Sequence, residues 1–90
     1  MTQIRCAVIG AGHLGKIHAR ILKTLPEFEL SVIVEPMEAA RNAAAETFQV
    51  PVDADHRSWI NRVDAVIVAA PTKFHHQVAG DFLRAGKPAC

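Results

Sequence analysis

The sequence predicts an α/β fold, a doubly wound parallel sheet, on three observations. Short apolar runs rich in β-branched residues alternate with longer segments of helical period, the pattern of βαβ units. One run, Asp64-Ala65-Val66-Ile67-Val68-Ala69-Ala70, is apolar on both faces, as a strand covered by helices on both sides must be. A glycine string, Gly10-Ala11-Gly12-His13-Leu14-Gly15, stands where the first run gives way to the first helical segment.

Each element follows in order. Ile4-Arg5-Cys6-Ala7-Val8-Ile9 reads as a strand that stops at Gly10. Leu14, Ile17, Ile21, Leu22 and Leu25 then recur on one helical face, expected to point inward, until Pro26 ends the helix. Leu30–Val34 is the second strand and closes on Glu35-Pro36, and an alanine-rich helix runs from about Glu38 to Thr47. A short third strand is expected near Val50–Val52 and a helical turn around Ser58–Asn61, with Trp59 anchoring that turn to the sheet. The Asp64–Ala70 run is the expected central strand. A last helix follows from near Phe74 to Ala85, with Phe74, Val78, Phe82 and Leu83 inward and Gly86 as its stop. Lys87-Pro88-Ala89-Cys90 reads as the entrance to a fifth strand, so the expected unit is a dinucleotide-binding domain over 1–90, truncated after about four strands.

Composition narrows the classes of function. Ten Lys+Arg against nine Asp+Glu give a formal charge of +1, too little for a basic field that drives sequence-independent phosphate-backbone binding, so no nucleic-acid partner is expected. A hydrophobic fraction of 50% with 21% charged residues suits a folded domain. The longest apolar stretch, Ala65–Pro71, falls far short of the roughly 20 residues that span a bilayer. Without a leader-like N-terminus, and with only two distant cysteines, Cys6 and Cys90, the expected compartment is the cytoplasm.

The glycine string carries the chemistry. Alone, G-x-G-x-x-G is a weak signal. Here a strand ends at Gly10, a helix opens after Gly12, and an acidic residue, Glu35, closes the next strand 20 residues after Gly15, the interval of about 20 seen in dinucleotide sites. Gly10 permits the tight turn, Gly12 leaves room for a pyrophosphate, and Gly15 lets the helix pack close to the sheet. The amides of His13 and Leu14, at the positive end of the helix, are expected to meet the phosphates. Glu35 is expected to accept hydrogen bonds from the adenosine ribose and to repel a 2′-phosphate, which favours NAD over NADP. Neither Pro36 nor Met37 offers a cation beside it, although Arg41 lies one turn further on and could reach. Two other readings are a ligand-free strand-to-helix turn and a methyltransferase-type site, which usually has Gly-x-Gly-x-Gly where Leu14 stands here.

A second stretch, Ala69-Ala70-Pro71-Thr72-Lys73-Phe74-His75-His76, follows the fourth strand at the end that faces the ligand crevice of a doubly wound sheet. Ala70, Pro71, Thr72 and His75 are therefore placed near the nicotinamide half. The plainer alternative makes Thr72 a helix cap and His75 a solvated first-turn residue. His75 and His76 are helix neighbours about 100° apart, and His18 has no partner ligand, so no metal site is indicated.

These residues carry a resemblance. Ala7-Val8-Ile9-Gly10-Ala11-Gly12-His13-Leu14-Gly15-Lys16-Ile17-His18-Ala19, then Glu35-Pro36, then Asp64–Val68 leading to Ala70-Pro71-Thr72 and His75, and finally Ala85-Gly86-Lys87-Pro88, resemble the N-terminal Rossmann-like domain of the Gfo/Idh/MocA oxidoreductases, a family that includes glucose-fructose oxidoreductase and inositol dehydrogenases. The resemblance implies NAD(P)-linked hydride transfer at a hydroxyl of a sugar, cyclitol or polyol, with Pro71, Thr72 and His75 near the cofactor. It also implies a Glu-Lys-Pro motif with a catalytic lysine and a second α+β domain, neither of which occurs within these 90 residues.

The 90 residues are accordingly expected to bind cofactor without turnover. The rival reading is a non-catalytic nucleotide-binding or redox-sensing module, and a third is a remnant that binds nothing. If the chain ends at Cys90, the uncovered edge of the fourth strand invites pairing with another copy, so a homo-oligomer is expected.

Overall fold

Ile4–Ile9 forms the first strand, β1, because its apolar side chains can be buried on both faces once strands and helices surround it. The computed structural model describes residues 2–90, the side chain of Thr72 excepted. After β1 come helix α1 (His13–Thr24), β2 (Phe28–Val34), α2 (Glu38–Phe48), β3 (Val52–Asp53), a 3-10 turn (Arg57–Trp59), β4 (Ala65–Val68) and α3 (Thr72–Arg84). The four strands pair in parallel in the order β3-β2-β1-β4. This is the expected Rossmann-like sheet.

Side-chain alternation divides the core into two layers. Cys6, Val8, Leu30 and Ile33 meet Ala19 and Leu22 of α1 and Ala44 and Phe48 of α2. On the other face Ala7, Ile9, Val32, Val34, Val66 and Val68 meet Trp59, Val78 and Phe82. The register of β1 on β2 slips between Cys6 and Ala7, pairing Cys6 with Leu30 but Ala7 with Val32. Ser31 is therefore an extra residue in β2. It is buried, and its hydroxyl donates to Glu29 at 2.6 Å.

The expectation that the fourth run is central needs correction. β1 lies between β2 and β4, and β4 ends the row of named strands. Val66 and Val68 are buried, whereas Ala65 and Ile67 are only half-covered because α1 and α2 overlie β1 and β2 instead. The outer side of β4 is met by a parallel bridge from Val66 to Ala89: Cys90 N–H donates to the Val66 carbonyl at 3.0 Å and Val68 N–H to the Cys90 carbonyl at 2.7 Å.

Two helix faces also differ from expectation. In α1 the buried residues are Gly15, Ala19 and Leu22, while Leu14, Ile21 and Leu25 are exposed. Small residues let α1 lie close to the sheet, and that close approach turns the bulkier apolar side chains outward. In α3 Val78 and Phe82 are buried, but Phe74 and Leu83 are exposed. Gly86 does stop α3. It takes φ of +78°, and the Gly86 and Lys87 amides return to the carbonyls of Leu83 and Phe82 at 3.0 and 2.9 Å, satisfying the helix end in a Schellman motif. Trp59 anchors its turn as expected: it is buried and its indole N–H donates to Asp53 at 2.9 Å, which lowers the Asp53 pKa. Among the described residues no helix is long and apolar enough to cross a membrane.

Candidate functional site

The carboxyl ends of β1, β2 and β4 bring the glycine turn, Glu35 and the Ala70–Pro71 segment to one edge of the sheet. Gly10 N–H donates to the Val34 carbonyl at 2.7 Å, Ala69 N–H to Ile9 at 2.8 Å, and Glu35 N–H to Asp53 at 2.8 Å. These bonds extend the ladder one residue past the strands and fix the three loops relative to one another.

The three glycines do different work. Gly10 has φ of +104°, and a Cβ there would lie 2.9 Å from the Ala69 carbonyl oxygen. Only glycine suits both demands. A Cβ on Gly15 would overlap the Gly10 carbonyl oxygen, so Gly15 lets α1 start directly against the turn. Gly12 differs from both. Its φ is −76°, and a Cβ built on it meets nothing within 4 Å. The fold itself does not require glycine at position 12, and the space above it is open.

Gly12 caps α1 without a side-chain bond, and no acidic residue stands in the first turn. The amides of His13 and Leu14 belong to the group that an α-helix leaves without internal partners, and the helix dipole makes them an anion site. Both side chains are exposed.

Glu35 is held from two sides. One carboxylate oxygen accepts Ala11 N–H at 2.9 Å, and the other accepts Met37 N–H at 2.9 Å. Each oxygen keeps a further lone pair. The Arg41 guanidinium folds back over the same turn and donates to the carbonyls of Glu35 and Pro36, both at 3.1 Å. Sequence reasoning placed Glu35 but missed its bond to Ala11. Ala11 is 3% exposed, which brings its amide close to the end of β2, and no side-chain type marks that approach.

On the far side of the crevice Pro71 caps α3, and its carbonyl accepts the amides of Phe74 at 3.0 Å and His75 at 3.2 Å. Thr72 is thus the first helical residue and not the cap; its side chain lies outside the described residues. His75 is half-buried, 6.1 Å from His76 between ring centres. A cleft of about 400 Å³ bordered by Arg5, Glu29, Trp59 and Arg62 opens at the opposite end of the strands. Its charges are already engaged, Arg5 by Asp64, Glu29 by Ser31 and Arg62 by the Trp59 ring.

Open space over Gly12, free first-turn amides and a fixed carboxylate at the end of β2 fit a dinucleotide. A sequence profile of the oxidoreductase family with an NAD-binding Rossmann fold matches residues 4–90. Inositol 2-dehydrogenase of Corynebacterium glutamicum (strain R) is 36% identical over 89 residues, covering 94% of this chain and 26% of that protein. The rhizopine catabolism protein MocA of Rhizobium meliloti is 28% identical over 89 residues, covering 98% and 28%. Among solved structures, scyllo-inositol dehydrogenase of Lactobacillus casei with bound NAD(H) and scyllo-inositol superposes with a TM-score of 0.86 at 29% identity, covering 98% of this chain and 27% of that one. The chain therefore spans little more than a quarter of the length of these relatives, and it belongs to the Gfo/Idh/MocA oxidoreductase family.

Proposed function

We propose that this chain binds NAD in the crevice at the ends of β1, β2 and β4, and forms the cofactor-binding part of an oxidoreductase acting on a sugar, cyclitol or polyol. Glu35 carries the reading. Its carboxylate is aimed by Ala11 and Met37 amides, leaving lone pairs for the two adenosine ribose hydroxyls. Gly10, Gly12 and Gly15 shape the pyrophosphate turn, and the amides of His13 and Leu14 meet its charge. Ala70, Pro71, Thr72 and His75 border the nicotinamide half. NAD, when bound, supplies the carbon that accepts or returns the hydride. This chain's own residues bind and orient it.

The relatives' names place inositol and nucleotide-sugar dehydrogenases around this chain, which supports the substrate class. Within the 90 residues we assign no group to proton transfer at a substrate hydroxyl, so the reading is binding without turnover by this portion alone, in a domain that continues beyond the strand begun at Ala89. It also includes self-association in the cytoplasm, through the half-covered face of β4.

The test is calorimetric titration of the chain with NAD+ and NADP+. Saturable binding that favours NAD+ and disappears in Gly12→Val supports the reading. A folded chain that binds neither overturns it.

A further inference from the structure

The helices of this fold are shared unequally between the two faces of the sheet. The connections β1–α1–β2 and β2–α2–β3 step one way across it and lay α1 and α2 on one face. From β4 the chain steps the other way, to the strand begun at Ala89, so the same right-handed crossover lays α3 on the opposite face, where Val78 and Phe82 are buried. Further crossovers in that direction add helices beside α3. The side of β4 that carries Ala65 and Ile67 therefore stays half-covered, a furrow alongside α1.

Helix α1 borders that furrow with an apolar ridge. At about 100° per residue, Leu14, His18, Ile21 and Leu25 lie within about 60° of one another, about a quarter-turn from the Gly15, Ala19 and Leu22 line that meets the sheet. They stand on the flank away from α2, since Lys23 on the other flank donates to the Phe48 carbonyl at the end of α2 at 2.7 Å. Leu14, Ile21 and Leu25 are exposed and His18 is half-buried. Their steps of four, three and four residues are those of a coiled-coil seam. Ridge and furrow carry no carboxylate, ammonium or guanidinium group, so two copies meet there without like charges. An antiparallel pair of α1 helices about a two-fold axis sets Leu14 of one copy opposite Leu25 of the other, and His18 opposite Ile21. It also brings the positive end of each helix dipole beside the negative end of its mate, and the single polar residue in the seam fixes the register.

We propose that α1 of a second copy fills the furrow over Ala65 and Ile67, and α1 of the first fills that of the second, in an isologous homodimer whose seam is Leu14, His18, Ile21 and Leu25. The inference rests on the reading of self-association through β4 and names the element that covers that face. So small a seam holds weakly, at roughly tens of micromolar, and the chain is monomeric when dilute. In sedimentation equilibrium wild type is expected to pass from monomer to dimer between about 1 and about 300 µM. Ile21→Lys sets an ammonium in the middle of the seam, beside His18 of the other copy, and is expected to raise the dissociation constant about tenfold or more. Leu83→Lys, at a similarly exposed apolar position on α3, is expected to dimerise like wild type. Circular dichroism checks the fold of each.

Dimerisation that survives Ile21→Lys overturns this inference alone, as does dimerisation that Leu83→Lys abolishes to the same degree. A folded wild type that stays monomeric throughout overturns the self-association reading and this inference with it, while the cofactor reading stands or falls on the separate NAD+ titration. Should Ile21→Lys not fold, Leu25→Glu at the end of the seam is read in the same way.

Discussion

The Glu35 carboxylate accepts the Ala11 amide at 2.9 Å, tying the end of β2 to the glycine turn that follows β1. Ala11 is 3% exposed, so without this bond its N–H would be buried with no protein partner. Glu35 is thus structural before any ligand arrives, and its second oxygen stiffens the start of α2 through Met37. Glu35→Ala is expected to lower unfolding free energy by about 1–3 kcal/mol, the cost of a donor left unpaired beside a lost charged acceptor. Glu35→Gln, which can still accept one of the two amides, loses less. Urea denaturation of both variants checks this, and equal stability of all three chains would sink it.

The three glycines are expected to separate by phenotype. Gly15→Ala forces a methyl into the Gly10 carbonyl, overpacking against backbone that has nowhere to go, and costs about 3 kcal/mol or more. Gly12→Val adds side-chain atoms to open space at an ordinary φ of −76°, so stability falls by no more than about 1 kcal/mol, the worth of an N-cap position. Its effect falls on NAD+ affinity instead. Thermal melts beside calorimetric titrations distinguish the two, and a Gly12→Val chain as unstable as Gly15→Ala would count against an open crevice.

Much of this was legible because the signals were local. The strand ending at Gly10, the acid closing β2 and the stop at Gly86 each depend on a few adjacent residues. The position of β4 was not legible, since apolar character on both faces fits any strand flanked by neighbours, and only pairing shows that β1 and β2 are the inner strands of the four. Ser31 looked like one polar residue in an apolar run, yet it is the bulge that resets the register. At the site, Glu35 was readable from its spacing. Its partner Ala11 was not, because a backbone amide leaves no trace in side-chain type.

Helix α1 shows why periodicity alone misassigned a face. Leu14, Ile17, Ile21, Leu22 and Leu25 form the expected apolar stripe, but of these only Leu22 is buried; the sheet is met by Gly15, Ala19 and Leu22, where small residues permit close approach. Leu22→Ala, at a site 5% exposed, is expected to cost about 2–5 kcal/mol. Ile21→Ala, at a site 49% exposed, changes stability by less than about 0.5 kcal/mol. Denaturant midpoints for the pair decide it; comparable losses would mean that the stripe is covered in solution.

The start of β1 is tied to the start of β4 by Arg5 and Asp64. The guanidinium donates to both carboxylate oxygens at 3.1 and 2.9 Å, and Arg5 N–H adds a bond of 2.8 Å. The Arg5 side-chain hydrogen bond is the main cause that holds the Asp64 pKa at about 2, below its ordinary 3.8. A depressed carboxylate pKa contributes stability that is present above the unfolded value and lost as pH falls through the folded one. The gap in denaturation midpoint between wild type and Asp64→Asn is therefore expected to be constant from neutral pH down to about 5, then to narrow between about 4 and 2. Both side chains are nearly half-exposed, at 47% and 42%, so the gap is modest and salt reduces it. Urea titrations across that range read it directly, and a gap that persists unchanged to pH 2 would assign Asp64 a role independent of its charge.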